Sequence, residues 1–211
     1  LVNIKRKNIP IEQYDVLREK CQEKGIETFC ELIYGLPGES YQSFVNGVKE
    51  SARSNVMVTI YPHLMLHGTE GSTMQHREKH GIKTAYRVIP RYISSNNELL
   101  TLEHEEVVVE TNDFPREDFF RVRFFQFLFY TFTSEIFLEL SHALSINGLD
   151  YVTLIELISE DKENWTPRIK KLFNDFSQSA KDELLENKKL EFTLEDIKEA
   201  RIHNKQLNPF Y

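Results

Sequence analysis

With 211 residues, 40% of them hydrophobic and 28% charged, the chain has the length of one large domain or two small ones and enough apolar material for a core. Eight Gly and seven Pro exclude collagen-like and low-complexity chains, and two cysteines, Cys21 and Cys30, exclude both a disulfide-dense scaffold and a metal centre of three or four thiolates built by this chain alone. A formal charge of −7 argues against nucleic acid as a partner, because phosphate contacts need a basic surface.

Residues 1–10 carry basic side chains with no apolar run behind them, so no signal peptide is expected, and the missing initiator Met suggests a piece of a longer protein. Residues 11–24 place Ile11, Tyr14, Leu17 and Cys21 at helical spacing, with Gly25 where a helix C-cap belongs. Residues 27–34 are a β-favouring run that stops at Gly35-Leu36-Pro37-Gly38. Ser40 can cap a helix over 41–54, whose Phe44, Val45 and Val48 keep helical spacing, and residues 56–61 form a second strand ended by Pro62. Strand, loop, helix and strand in this order predict a right-handed crossover between adjacent parallel strands. Both carboxyl ends then meet at one edge, which brings 35–39 near 62–68, and sites collect at that edge in β/α barrels.

Residues 84–93 and 105–110 read as short strands, and from Arg116 the pattern turns helical: 119–144, 151–159, 167–186 and 194–204. Thr166-Pro167 is a cap and first-turn pair, and Thr193 with Asp196 is a near capping box. Residues 119–140 are about as long as a membrane span, but Arg121, Arg123, Glu135 and Glu139 interrupt them. Their uncharged run, Phe124 to Ser134, is 11 residues, against roughly 20 for a bilayer core. A cytoplasmic protein without membrane contact is expected, with this aromatic stripe as core.

Several side chains could carry chemistry. Glycines after a strand let a backbone approach a ligand, and the helix at Ser40 offers free amides, although no phosphate-loop Lys and no Gly-x-Gly-x-x-Gly is present. Glu31 sits inside an apolar strand, either as a charge on an exposed face or as an inward carboxylate bonding a ligand; the two readings weigh equally. His76 and His80 are four apart on a helix that is polar all round, which favours a solvated face over a metal pair. Cys21 and Cys30 fit neither a redox pair nor a zinc knuckle, and read as ordinary buried thiols.

The string Glu31-Leu32-Ile33-Tyr34-Gly35-Leu36-Pro37-Gly38-Glu39-Ser40, followed by Phe44, resembles the fifth-strand motif of radical S-adenosylmethionine (SAM) enzymes. The branch in question includes anaerobic coproporphyrinogen dehydrogenase and the cobalamin-binding radical enzymes. Ile4-Lys5-Arg6-Lys7-Asn8 resembles the end of the fourth strand. Tyr61-Pro62-His63-Leu64-Met65-Leu66-His67-Gly68-Thr69 resembles the sixth-strand segment, with His67 in place of a frequent proline. The likeness covers about residues 1–93, and the stretch 84–110 with the aromatic helix after it resembles the tail of the cobalamin-dependent subgroup.

This resemblance implies a fold that is α/β followed by all-α: the last strands and helices of a partial (β/α) barrel over 1–93, a connecting segment with a short strand over 94–115, and a helical C-terminal domain over 116–211. It implies SAM and a four-iron four-sulfur cluster in the intact parent, with cobalamin left open. By position, Arg6 would pair with the methionine carboxylate, a bidentate match. Glu31 would accept from the ribose hydroxyls, the backbone near Pro62 and His63 would meet the adenine edge, and Ile33 and the Gly35 turn would pack beside it. The family's Cys-x3-Cys-x2-Cys motif is missing here, so these two cysteines cannot hold that cluster.

The expected role is therefore a C-terminal fragment that contributes cofactor-side and substrate-side contacts and is inactive alone. Its partner would be the missing N-terminal part of the same protein, or a second copy docked through exposed barrel or aromatic helix faces. The rival from another class is a non-catalytic helical interaction module with a vestigial half barrel.

Overall fold

The computed structural model describes residues 11–53, 57–88 and 104–186, so the expectations for Arg6 and for a helix over 194–204 lie outside the described residues. Helix α1 (Ile11–Glu23) is followed by strand β1 (Phe29–Tyr34), helix α2 (Tyr41–Arg53) and strand β2 (Met57–Pro62). The two strands pair in parallel, with Glu31 opposite Thr59, Ile33 opposite Tyr61 and Tyr34 opposite Pro62. At the start of α2, Ser40 and Ser43 cap reciprocally: the Ser43 amide donates to Ser40 Oγ at 3.2 Å, and the Ser40 amide donates to Ser43 Oγ at 2.9 Å.

Period-two alternation sorts the pair into two faces. Leu32, Tyr34, Val58 and Ile60 face α2 and join Phe44, Val45 and Val48 in the main core. Phe29, Glu31, Ile33, Met57, Thr59 and Tyr61 lie on the opposite face; Phe29 is 63% exposed and Met57 69% exposed.

After β2 the chain crosses to a second sheet. The short helix α3 (Met74–His80) leads into an antiparallel pair, β3 (Lys83–Val88) and β4 (His104–Glu110). Leu64 bridges Val107, and Met65 donates its amide to the Glu106 carbonyl at 2.8 Å, which ties the segment behind β2 to β4. Gly81, at φ +60°, ends α3; a side chain there would run into Asn112 Oδ1 at 2.1 Å. The helix is not solvated all round as its composition suggested. His80 is buried, because α3 turns that side toward the Asn112 loop, whose amide donates to the His80 carbonyl at 2.9 Å.

Helices α4 (Arg116–Phe132), α5 (Leu138–Ile146), α6 (Tyr151–Glu160) and α7 (Pro167–Asp182) complete the described chain. The single helix expected over 119–144 is in fact two, separated by a short turn, Glu135–Phe137. Thr131, Thr133 and Ser134 bend their hydroxyls back onto the carbonyls of Phe127, Phe129 and Thr131 at 2.8, 2.8 and 2.6 Å, a local bonding pattern that competes with helix continuation. The aromatic stripe of α4 is core: Phe119, Phe124, Phe125 and Phe129 are buried. Thr166 caps α7 by accepting from the Ile169 amide, with Pro167 in the first turn.

The described residues form a mixed α/β structure with seven α-helices and two small two-stranded sheets, with no closed barrel among them. No helix among them is long and apolar enough to cross a membrane.

Candidate functional site

The carboxyl edge of β1 and β2 gathers the sequence-expected residues. Tyr34, the last residue of β1, is fully buried, so the chain must turn immediately to leave the core. Gly35 makes that turn at φ +82°, a region open to glycine at little cost. A Cβ on Gly35 would lie 3.7 Å from the Val108 carbonyl oxygen and 3.9 Å from His63 Cβ, so β4 and the segment behind β2 both press on the turn.

His63 locks the turn to β2. Its amide donates to the Tyr34 carbonyl at 2.9 Å, extending the parallel ladder by one bond, and its carbonyl accepts from the Val108 amide at 2.9 Å. Its Nδ1 lies 3.2 Å from the Gly35 carbonyl. A carbonyl can only accept, so Nδ1 carries the proton and Nε2 is left as the acceptor in the neutral ring. Burial pushes the imidazole below its ordinary value and His76 adds to this, against the opposing pull of the Gly35 carbonyl, so the ring favours its neutral form.

Glu39 was not singled out by the sequence reading. The loop folds it back so that its Oε2 accepts from the Gly35 amide at 3.0 Å. Burial raises its carboxyl from 4.5 to about 7, against backbone bonds from Gly35 and Leu36 that favour the charged form. The available signal was a carboxylate four residues behind a glycine in a tight loop, where side chains commonly fold onto backbone amides.

The remaining expected residues fall around this edge. Pro62 is buried on the α2 side, level with Tyr34. Ile33 is half-buried and Glu31 exposed, both on the face away from α2, with Glu31 about 7 Å further down the strand by its two-residue separation. Gly35, Pro62 and His63 thus meet at the two strand ends, while Ile33 and Glu31 lie one and three residues back from Tyr34 on the other face, where Glu31 is exposed.

The backbone chemistry of β1 completes the picture. A residue in a strand turns its N–H and C=O the same way, and Tyr34 turns its carbonyl to β2. By alternation Glu31 and Ile33 turn theirs to the outer edge of β1, which has no paired strand among the described residues. The far edge of β2 is sealed instead. Tyr130 Oη accepts from the Ile60 amide at 2.8 Å, and Gln126 Nε2 donates to the Ile60 carbonyl at 2.8 Å, both from α4.

For a cofactor the fit is uneven. The glycine turn, the exposed Glu31 carboxylate, which has no ion pair among the described residues, and Ile33 and Tyr61 beside it combine acceptor and apolar surface of the kind that suits a nucleoside-bearing ligand. Among the described residues no group of three His, Cys, Asp or Glu could hold a metal ion, and Cys21 and Cys30 are free, half-buried thiols. A four-iron cluster does not fit this chain.

No family model matches the chain. It is similar to the cobalamin-dependent radical SAM methyltransferase TokK of Streptomyces tokunonensis, 31% identical over 152 residues, which cover 67% of this chain and 22% of that protein. It is also similar to the 2-(S-pantetheinyl)-carbapenam-3-carboxylate methyltransferase of Streptantibioticus cattleyicolor, 29% identical over 121 residues, 54% of this chain and 17% of that protein. The chain therefore spans about a fifth of the length of the curated relatives it matches. These likenesses support a relationship to the radical SAM superfamily broadly.

Proposed function

We propose that this chain is the C-terminal part of a cobalamin-dependent radical SAM methyltransferase, in which it closes the SAM side of the site. The observation that carries the reading is the β1–β2 pair. It is parallel, sealed by α4 at one edge, without a paired strand among the described residues at the other, and carries Phe29, Glu31, Ile33, Met57, Thr59 and Tyr61 on the face away from its packing helix. Such a pair suits the last two strands of a partial barrel whose earlier strands continue from the β1 edge, with residues 1–93 as barrel and 116–211 as helical domain.

In this reading SAM lies on the open face. Arg6 meets its carboxylate and Glu31 its ribose hydroxyls. The Gly35 turn, held by Glu39 and His63, passes beside the adenine with Ile33 and the Pro62–His63 backbone. The cluster and its three thiolates come from the preceding part of the protein, and cobalamin from the same source. The chain by itself performs no radical chemistry.

The gene upstream of Leu1 should encode a Cys-x3-Cys-x2-Cys motif, and its absence would sink the reading. In the full-length protein, Glu31→Ala should weaken SAM binding about tenfold by calorimetry, the loss of a charge-assisted hydrogen bond. Because Glu31 is exposed, the melting temperature should hold. Unchanged affinity in that variant removes Glu31 from the site.

A further inference from the structure

A second site lies on the α2 side of the sheet, away from the open face. Helices α4 and α7 run antiparallel, with Lys181 near Phe120 and Phe173 against Phe124, and leave between them an open cleft of about 800 Å³. Its floor is aromatic: Phe120 and Phe124, one turn apart on α4, meet Phe173 of α7, and Phe124 packs on Phe173 with ring centroids 4.7 Å apart. Tyr41, the first residue of α2, closes one wall under the guanidinium of Arg121, which stacks 3.7 Å above its ring.

The charges of the cleft run against those of the chain. Four cations line it, Arg116, Arg121, Lys162 and Lys181, against two carboxylates, Glu117 and Glu160, in a protein of net charge −7. The two arginines are engaged: Arg116 pairs with Glu186, and Arg121 with Asp118 at 2.7 Å and Glu160 at 2.5 Å. The two lysines meet no carboxylate among the described residues. Lys162 Nζ sits 4.8 Å from the Phe173 ring centroid and Lys181 Nζ 5.9 Å from that of Phe120, so each stands at one end of the aromatic floor. An ammonium carries three donors, so a ring face against one side of it leaves N–H groups for an anion.

We infer that this cleft binds an amphiphilic carboxylate, an acyl or aryl acid whose apolar body lies on Phe120, Phe124 and Phe173 and whose carboxylate pairs with Lys162 or Lys181. Phe173 and Lys181 are eight residues apart on α7, about 12 Å, which sets the length of the body. The size falls within the range of small-molecule sites. This inference is independent of the methyltransferase reading, because it rests on the cleft between α4 and α7 with the Lys162 turn and Tyr41, and on nothing at the β1–β2 face.

Trp165, the chain's one tryptophan, reports on the cleft directly: its ring centroid is 5.7 Å from Phe124 and 4.9 Å from Phe173. Titrating the protein with decanoate should change its fluorescence saturably, and decanol, which carries no charge, should bind several-fold more weakly. Lys162→Gln and Lys181→Gln, both at exposed positions, should each weaken decanoate about two- to fivefold, the worth of an exposed ion pair, and leave decanol unchanged. Phe29→Ser, on the distant open face, should leave both titrations unaltered. Equal binding of acid and alcohol, indifference to the lysine substitutions, loss of binding in Phe29→Ser, or no saturable signal each overturns the inference.

Discussion

At the scale of single residues, the Gly35 turn is a small hydrogen-bonded unit whose protonation is legible in its geometry. Glu39 accepts from the Gly35 amide while His63 donates to the Gly35 carbonyl, so the peptide groups on both sides of this one residue are held. Burial lifts the Glu39 carboxyl to about 7. Its native form holds a proton more tightly than the unfolded chain does, so the stability it contributes is complete below its ordinary value and is lost as pH rises through about 7. His63 works in the opposite sense, since its lowered value costs stability as pH falls below the ordinary histidine range. Glu39→Gln keeps an acceptor for the Gly35 amide and removes only the titration. Between about pH 5 and pH 8 the wild type should lose on the order of 1–3 kcal/mol relative to that variant in denaturant melts. Parallel pH profiles for the two proteins would remove Glu39 as the titrating group.

At the scale of elements, α4 does two tasks. One face carries Phe119, Phe124, Phe125 and Phe129 into the core, and its C-terminal half presents Gln126 and Tyr130 to the backbone of Ile60. An uncovered strand edge invites pairing with another chain, and here side chains occupy its hydrogen-bonding groups. Tyr130→Phe removes one partner and should cost about 1 kcal/mol, and adding Gln126→Leu should bring the loss to about 2–3 kcal/mol, because the Ile60 amide and carbonyl then stay covered but unpaired. Chemical denaturation measures both. A double variant as stable as the parent would mean that water already satisfies this edge.

At the scale of the whole molecule, two regions carry opposite tendencies. The helical side is cross-linked by ion pairs: α6 joins α2 through Lys49 and Glu156 at 2.5 Å, and Arg123 of α4 holds Glu183 behind α7 at 2.8 Å. The β1–β2 face is open, with Phe29, Met57 and Tyr61 at 63%, 69% and 45% exposure beside a strand edge that has no paired strand among the described residues. Exposed apolar surface next to such an edge favours association. Expressed alone, the chain should self-associate in a concentration-dependent way by sedimentation, and Phe29→Lys with Met57→Lys should restore a monomer without lowering its melting temperature. Unchanged association in the double variant would place the contact elsewhere, for example on the exposed α5 residues Leu140 and Ile146.

Much of this was determined by the sequence. The strand–glycine loop–helix–strand order, the parallel pairing, the caps at Ser40 and Thr166 and the core role of the α4 phenylalanines follow from local spacing, and local rules act wherever they occur. Tertiary contacts decided the rest. Hydroxyls folding onto carbonyls broke the long helix, packing against the Asn112 loop buried His80, and the fold-back onto Gly35 gave Glu39 its raised carboxyl. Composition could not settle whether Glu31 faces solvent or core, because alternation gives two faces without saying which is covered. That choice was made by α2, which packs its valines on one side of the sheet and leaves Glu31 on the other.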